Sequence, residues 1–396
     1  MPAIRRCLAA LCLLAAMAPP AMAGGLGDAI AAVEQRMAAM PEARAAGPDA
    51  TARYVAGMVS ACLEVFEQSR HLDRPYFGRS AGIDGKPGLF NPDNLYRSAL
   101  LSDRGVYQIR GRRGTHAMLT LQLLDAYPIV ALGRNLAVID LDQAGVGPGQ
   151  DFTVTLGGER VDGLWQPLPA GARAVLARQT FEDWRTETPS TLSIERLDTG
   201  APPVDPGVPG VSAADYVATA DKLWNSGLYG KLPVNAFPPP RASDSGAGGL
   251  GGQQSVMARY RLTPDTALLV TVRRSNARYQ GIQLGDPWFV TPNFTVHQSS
   301  LSRAQAVTDT DGKLRFVIAL SDPGVANWLD PAGFAEGFVF LRWQGLPAPL
   351  GSDDAASIEV VSVAELRGKL PPGTRWLDAD ARRAQLAERR LPPNRM

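Results

Sequence analysis

Cysteine and histidine are scarce in this chain, and their scarcity excludes several kinds of site. The 396 residues include three cysteines and three histidines. Cys7 and Cys12 fall in a segment that reads as a removable leader, which leaves Cys62 as the thiol of the mature chain. A lone thiol cannot form an intramolecular disulfide or a zinc cluster. Its apolar helical surroundings are typical of a buried, unreactive cysteine.

The histidines are isolated from one another as well. His71, His116 and His297 have no second ligand at metal-binding spacing, so we expect no metal site and no resident cofactor. His71 and His116 read as structural, whereas His297 lies among polar residues and is the best single candidate for chemistry. The chain also lacks a GxSxG nucleophile motif, a Walker loop and a dinucleotide fingerprint, which disfavours the enzymes that use them.

An excess of charge of either sign is missing too. Forty Lys and Arg residues face 39 Asp and Glu residues, which gives no basic surface for nucleic acid. Beyond the leader there is no apolar stretch long enough for a membrane span. The sequence does not indicate an oligomeric state.

The first 23 residues predict a secretory signal peptide. Arg5 and Arg6 form a basic start, an apolar stretch too short to cross a bilayer follows, and Ala21-Met22-Ala23 is a small-residue cleavage site. We therefore expect cleavage after Ala23 and a periplasmic or secreted protein.

One β unit occurs twice along the chain. Residues 151–178 and 314–342 align with a single inserted residue, and each contains two apolar strands, an acidic glycine turn and a tryptophan (Trp165, Trp328). Each unit ends in an arginine, Arg178 or Arg342. This repetition predicts two similar modules side by side.

Periodicity divides the chain further. A helical pattern with a break near Gly47 gives way to an irregular stretch and then to alternating strands. We predict a mainly β protein with α additions, in which two consecutive jelly-roll-like antiparallel β-sandwiches carry the N-terminal helices on them. The predicted divisions are a helical and irregular segment at 24–101, a first sandwich at 102–198, a Pro/Gly hinge at 199–212, a second sandwich with a leading helix and a long loop at 213–370, and a tail with a short helix at 371–396.

Four strings within residues 91–372 resemble a bacterial family of uncharacterised proteins that carry the domain of unknown function 1214. The strings are NPDNLYRSALL, RQTFEDWRTETPSTLSIERL, TDTDGKLRFVIALSDPGVANWLD and EGFVFLRW. The resemblance implies two consecutive β-sandwich domains with helical additions. It implies no activity, cofactor or catalytic residue.

Three polar segments, at residues 91–97, 178–185 and 322–330, are candidate sites. The first joins amide, carboxylate, phenol and guanidinium groups, and its alternative interpretation is an Asx-turn pinned by an Arg97–Asp93 pair. The second follows a strand, and a structural salt bridge at a sheet corner is the interpretation we favour for it. The third flanks Trp328, which could stack on a sugar or fill the core, as we favour for Trp165. The candidate ligand-binding residues are Asn91, Asp93, Asn94, Tyr96, Arg97, Arg178, Trp184, His297, Asn327 and Trp328.

Two functions are compatible with these residues. The one we favour is an exported protein that binds a small molecule, lipid or saccharide in a cleft between the sandwiches, with the loop at 235–254 as a lid. The alternative is a hydrolase or lyase of carbohydrates or similar polar substrates, with paired carboxylates as acid and base. Whether the chain is an enzyme is left open. The candidate carboxylates are Asp93, Asp183, Asp322 and Asp330.

Overall fold

The computed structural model describes residues 25–79, 87–198, 212–225, 227–243, 249–351 and 354–390. The expected leader, nearly all of the expected hinge and part of the glycine-rich loop fall outside these ranges. No helix in the described ranges has the length and apolarity needed to cross a bilayer.

Helices occupy the N-terminal region, the entry to the second sandwich and the C-terminal region. The break predicted near Gly47 is present, because Gly47 has a φ of 87° and Pro48, which lacks an N–H, begins the next helix. The helices are α1 Leu26–Ala39, α2 Pro41–Ala46, α3 Pro48–Ser69, α4 Ala213–Trp224, α5 Leu228–Lys231, α6 Leu366–Lys369 and α7 Ala379–Ala387.

The first sandwich consists of a five-stranded and a four-stranded sheet. Their orders are β1-β2-β8-β4-β5 and β7-β6-β3-β9. The strands are β1 Gly78–Arg79, β2 Asn94–Leu100, β3 Tyr107–Arg112, β4 Met118–Leu124, β5 Asn135–Asp140, β6 Asp151–Leu156, β7 Leu164–Gln166, β8 Ala174–Thr180 and β9 Thr191–Arg196.

The second sandwich repeats this arrangement strand for strand. Its sheets have the orders β10-β11-β17-β13-β14 and β16-β15-β12-β18. The strands are β10 Arg241–Ala242, β11 Gln254–Arg261, β12 Thr266–Arg273, β13 Tyr279–Gly285, β14 Ser300–Ser302, β15 Lys313–Ala319, β16 Trp328–Leu329, β17 Glu336–Gln344 and β18 Ser357–Ser362.

The duplication extends to the register of individual residues. Arg178 on β8 pairs with Thr120 on β4, and Arg342 on β17 pairs with Gly281 on β13. The two arginines therefore occupy equivalent positions in the two sandwiches. The repeated sequence unit predicts this internal duplication.

Helices cover one end of the first five-stranded sheet. Its outer face contributes Leu100, Leu124 and Leu176 to a hydrophobic core that also contains Val33 of α1 and Met58 of α3. The N-terminal helices thus pack on the sandwich as expected, because their apolar faces and this face of the sheet bury each other. The other end of the same face contacts the second sandwich.

The boundaries of the sandwiches differ from the prediction in one respect. β1 and β2 lie within the segment assigned to the helical and irregular region, so the first sandwich begins well before residue 102. Residues 98–100 of β2 are all buried, because the sandwich core covers one face and helices cover the other. A strand buried on both faces loses the alternation that marks a half-exposed strand.

Candidate functional site

The two five-stranded sheets meet across a polar interface. Thr180 Oγ1 donates to Gln344 Oε1 at 3.3 Å, and the two residues lie two positions beyond Arg178 and Arg342 on equivalent strands. A contact between equivalent positions is what an approximate two-fold axis requires. The faces that carry the two arginines therefore approach each other near this axis.

Asp93 is the buried carboxylate of this interface. Its side chain accepts hydrogen bonds from Trp184 Nε1 at 2.9 Å and from the Tyr279 hydroxyl at 2.8 Å. Asp93 belongs to the first sandwich and Tyr279 to the second, so the contact joins the two sandwiches. Burial, followed by the negative charge of Asp93, raises the pKa of Tyr279 well above its ordinary value and keeps the phenol protonated as a donor.

Most of the first candidate segment lies around this carboxylate. Asn91 Oδ1 accepts from the Asp93 backbone N–H at 3.1 Å, the Asx-turn of the alternative interpretation, and Asn91 Nδ2 donates to the Tyr279 hydroxyl at 3.0 Å. Asn94 Nδ2 donates to the Tyr96 hydroxyl at 3.0 Å. The Arg178 guanidinium lies 5.2 Å from the centre of the Tyr96 ring, within cation–π range.

Arg342 is the buried counterpart of Arg178. It donates to Gln283 Oε1 and, at 3.1 Å, to the Leu89 carbonyl, and its guanidinium lies 3.8 Å from the centre of the Phe340 ring. Burial is the main cause that lowers the pKa of Arg342 to about 10, and the positive charge of Arg178 lowers it further. Tyr96, Tyr279 and the negative charge of Asp93 partly oppose this lowering of the pKa.

Two polar atoms of the first sandwich lack partners at this interface. Arg178 Nε and Thr120 Oγ1 are buried and have no hydrogen-bond partner among the described residues. Arg178 and Thr120 are register neighbours on β8 and β4. An unsatisfied buried polar atom costs roughly 1–3 kcal/mol, and more when the group is charged. A ligand that accepts from both atoms would remove this cost.

Ion pairs close the interface on either side of the arginines. Arg278 of the second sandwich contacts Asp140 at 3.0 Å and Asp142 at 2.5 Å in the first. Arg303 contacts Glu182 at 3.1 Å. Burial, which is partly opposed by Arg303, raises the pKa of Glu182 to about 7. Neither Arg178 nor Arg342 forms an ion pair with a carboxylate in the described part of the chain.

Arg97 does not join this group, contrary to the composite site that the sequence suggests. On β2, Tyr96 pairs with Arg178 and Arg97 pairs with Ala177. Successive side chains of a strand point to opposite faces, so Arg97 and Arg178 lie on opposite sides of the sheet. Arg97 lines a cleft of the first sandwich, whereas Asp93 accepts from Trp184 and Tyr279.

The remaining candidate carboxylates of the loops have arginine partners. Asp183 pairs with Arg185 at 2.8 Å, and Asp322 pairs with Arg382 of α7 at 2.8 Å. These pairs match the salt-bridge interpretation of the second segment and extend it to the third.

The third segment also supports the second sandwich from within. Asn327 accepts from the Val307 N–H at 2.8 Å and donates to the Val307 carbonyl at 2.7 Å. Trp328 is buried, and its Nε1 donates to the Ala319 carbonyl at 2.9 Å. A sugar could not stack on a ring that is covered in this way.

His297 and Asp330 form a pair at the surface of the second sandwich. His297 Nδ1 lies 2.8 Å from Asp330 Oδ2, and the Asp330 carboxylate also accepts from the Ala332 N–H at 2.8 Å. Two candidates that are far apart in sequence therefore meet. No group of three or more His, Cys, Asp or Glu side chains suited to a metal ion occurs in the described ranges.

The C-terminal helix reaches the interface as well. Arg389, just beyond α7, is buried, donates to the Ser300 carbonyl at 2.9 Å and places its guanidinium 5.3 Å from the centre of the Trp184 ring. The end of the tail therefore packs against residues that surround Asp93 and helps to hold them in place.

Three important residues of the interface were not among the candidates. These are Thr120, Tyr279 and Arg342. Arg342 could have been found from the repeated unit, because it ends the second copy where Arg178 ends the first. Thr120 and Tyr279 carry no local signal, since their role depends on strand pairing and on the approach of two sandwiches.

Comparison with known proteins gives the fold and no activity. A putative uncharacterised protein from Burkholderia cenocepacia is similar, with 28% identity, a TM-score of 0.75 and coverage of 86% of this chain and 96% of that one. A protein from Vibrio parahaemolyticus has 11% identity and a TM-score of 0.46 over 78% of this chain and 97% of that one. No family model matches the chain, and neither does any curated protein.

Proposed function

We propose that this protein binds a small molecule with an anionic group between its two β-sandwiches, where Arg178 and Arg342 receive the anion. The observation that carries this proposal is the unpartnered, buried Nε of Arg178 beside the unpartnered hydroxyl of Thr120. An N–H and an O–H on neighbouring strands can donate to two oxygens of one carboxylate, phosphate or sulfate.

The charge of the interface supports an anion over a neutral ligand. Arg342 is fully buried and feels the positive charge of Arg178, while the nearby carboxylate of Asp93 is already held by Trp184 and Tyr279. Two neighbouring guanidinium groups without a carboxylate of their own are costly to bury. An anion between them would offset that cost, and a planar one could use the fork geometry of both guanidinium groups.

Aromatic rings extend the proposed site beyond the charges. Tyr96 lies under Arg178, and Phe340 lies under Arg342. Each ring holds its guanidinium in place and offers an apolar edge to the rest of the ligand. A ligand with an anionic head and an apolar or aromatic body fits this combination better than a neutral saccharide.

The alternative, a carboxylate-dependent hydrolase or lyase, has weaker support. Asp183 and Asp322 are paired with arginines, and Asp93 accepts from two donors inside the interface. A hydrolase of this kind needs one protonated and one ionised carboxyl group facing a common substrate. Binding is therefore the function that the described side chains favour.

Three broader properties belong to the same proposal. The four strings within residues 91–372 support membership of the family with the domain of unknown function 1214, and the duplicated strand order supports a jelly-roll origin of both sandwiches. The basic start, apolar stretch and small-residue site before Gly24 support export.

A thermal-shift screen tests the binding proposal. The purified protein would be heated with acetate, benzoate, phenyl phosphate, inorganic phosphate and sulfate, and with benzamide as the neutral counterpart of benzoate. A ligand that binds the native state raises the melting temperature by mass action. We expect at least one anion to raise it by ~2 °C or more, and benzamide to have no effect.

Variants at matched arginines locate the effect. Arg178→Met should abolish the shift, and Arg110→Met should preserve it, because Arg110 lies at the surface of β3 and pairs with Glu195. An equal shift in Arg178→Met, or the absence of any shift across a millimolar range of all five anions, would refute the proposal.

A further inference from the structure

A cleft in the first sandwich lies on the opposite side of β2 from the proposed anion site. It has a volume of about 420 Å³. Apolar and polar side chains line it together, among them Phe77, Leu95, Arg97, Gln179 and Ser190. This mixture suits a small molecule with an apolar part and a polar part.

A serine and a histidine are hydrogen-bonded at the wall of this cleft. Ser190 Oγ lies 2.9 Å from His116 Nε2, within the distance expected between a nucleophile and its base. Ser190 Oγ also accepts from the Gly114 N–H at 2.8 Å, and the Ser190 N–H donates to Gln179 Oε1 at 2.7 Å. Two contacts thus hold the hydroxyl, and a third holds the backbone of the same residue.

The second ring nitrogen of His116 fixes the tautomer. His116 Nδ1 lies 2.9 Å from the Met118 carbonyl oxygen, which can only accept. A neutral imidazole in this position carries its proton on Nδ1 and directs the lone pair of Nε2 at the Ser190 hydroxyl. This is the orientation of a general base, with a backbone carbonyl in place of the carboxylate of a triad.

Close packing of the backbone around Gly114 holds the Ser190–His116 pair in place. A β-carbon on Gly114 would lie 2.2 Å from the Thr188 carbonyl oxygen and 2.5 Å from the Pro189 carbonyl carbon. Only glycine therefore allows the Gly114 N–H to approach Ser190 Oγ so closely. The His116 ring is buried and lies 5.0 Å from the ring of Phe181.

We infer that Ser190 is a nucleophile activated by His116, and that the cleft takes small carboxylic esters. Ser190 Oγ would attack the acyl carbon while His116 Nε2 accepts the hydroxyl proton. Collapse of the tetrahedral adduct breaks the bond to the alcohol oxygen, which leaves with the proton from His116. Water would then attack the acyl-serine with His116 as base, releasing the acid and restoring the serine.

The polar side chains of the cleft suit the other needs of this reaction. Arg97 and Gln179 line the cleft together with Ser190, and Gln179 fixes the backbone of the nucleophile through its Oε1. A purely structural Ser–His contact would need neither the adjoining cleft nor a cation in its wall.

Covalent labelling of the whole protein tests this inference. A fluorophosphonate probe reacts with activated serines, forming a phosphorus–oxygen bond and releasing fluoride, and peptide mass mapping identifies the residue. We expect one adduct, at Ser190, and none in Ser190→Ala. Ser193→Ala is the matched control, since Ser193 is an exposed serine of β9, which begins directly after Ser190, and it should label like the wild type.

The dependence on His116 separates a catalytic pair from a structural one. Labelling should fall at least tenfold in His116→Gln. If that variant does not fold, the wild-type rate should still fall at acid pH, where imidazoles are protonated. Absence of a Ser190 adduct, or a rate that does not change with pH, would overturn the inference. Labelling reports on Ser190 and the thermal shift reports on Arg178, so failure of the proposed anion site can be told apart from failure of this one.

Discussion

The two sandwiches have the same strand order, but the arginines at equivalent positions have different surroundings. Arg342 is fully buried, with Gln283 and the Leu89 carbonyl as acceptors. Arg178, at the equivalent position, is half-buried and leaves its Nε without a partner among the described residues. A duplication supplies each side chain twice. One copy can then support the fold as well as the proposed anion site, while the other keeps an unpartnered donor for the ligand.

The two tryptophans of the repeated unit also differ in burial, and again the residue of the second sandwich is the more buried one. Trp165 Nε1 donates to the Gly157 carbonyl at 3.0 Å, and Trp328 Nε1 donates to the Ala319 carbonyl at 2.9 Å. Trp328 is buried, with Arg382 5.2 Å from its ring centre, whereas Trp165 is half-buried. The second sandwich is thus the more thoroughly internal copy of the unit.

The largest effect on stability is expected from replacing Asp93, a residue of the first sandwich. Asp93→Ala would remove the buried carboxylate that accepts from Trp184 Nε1 and from the Tyr279 hydroxyl, which would keep only Asn91 Oδ1 at 3.2 Å as an acceptor. We expect the free energy of unfolding to fall by about 3–5 kcal/mol. Chemical denaturation measures this, with Asp183→Asn as the control at an exposed pair, where less than about 1 kcal/mol is expected. A similar small loss in both variants would contradict the interface described above.

The next largest difference in stability is expected between variants of the two equivalent arginines. Arg342→Met would strand the Gln283 and Leu89 acceptors, so we expect a loss of about 2–3 kcal/mol. Arg178→Met removes an unsatisfied buried donor and should change stability by less than about 1 kcal/mol. The same denaturation curves compare the two variants. Equal losses would mean that Arg178 has a structural role like that of its counterpart.

Asp286, which follows β13, predicts that the stability of the protein depends on pH. Burial raises the pKa of Asp286 to about 7, despite hydrogen bonds from the Trp288 and Val290 N–H groups. Because the folded protein binds the Asp286 proton more tightly than the unfolded chain does, protonation of Asp286 stabilises the fold. That contribution to the free energy of unfolding is fully present below about pH 4 and is lost as the pH rises through about 7.

Denaturation at pH 5 and pH 8 measures that effect. We expect the wild type to be less stable at pH 8, with Asp286 contributing on the order of 2 kcal/mol to the difference. Asp286→Asn should reduce the difference, because the amide oxygen can still accept both hydrogen bonds. Asp125→Asn is the control at the equivalent position, where the carboxylate contacts Arg134 at 2.6 Å near the surface. An unchanged pH difference in Asp286→Asn would show that burial of this carboxyl is not its cause.

The smallest effect is expected at the tryptophans. Trp328→Phe should lower the free energy of unfolding by about 1–2 kcal/mol, because the ring is buried and its Nε1 bond is lost. Trp165→Phe should cost less than about 1 kcal/mol, since that side chain is only partly buried. A reversed order would contradict the more internal position of the second copy.

Much of the fold is predictable from the sequence because many strands are half-exposed. β9 alternates between exposed and half-buried residues over most of its length, which is the pattern that predicts a strand from sequence. β2 was missed because both of its faces are covered at its C-terminal end. The repeated unit, in turn, predicts that the two sandwiches are similar.

The site is predictable only in part. The segment from Asn91 to Tyr96 contains four of its residues, but whether Arg97 or Arg178 joins them depends on which face of a sheet each one occupies. Tyr279 lies 186 residues from Asp93, and no local pattern indicates that contact. Convergence across two modules is set by their packing, which periodicity does not encode.

Anomalous diffraction from a selenate-soaked crystal tests the central claim most directly. Selenate is a sulfate-like anion whose selenium can be located without assumption about the surrounding protein. The account predicts a peak between the two sandwiches, with selenate oxygens about 2.7–3.0 Å from Arg178 Nε and Thr120 Oγ1. A fully soaked crystal with no peak there, and with Arg178 Nε donating to an acceptor of its own chain, would contradict it.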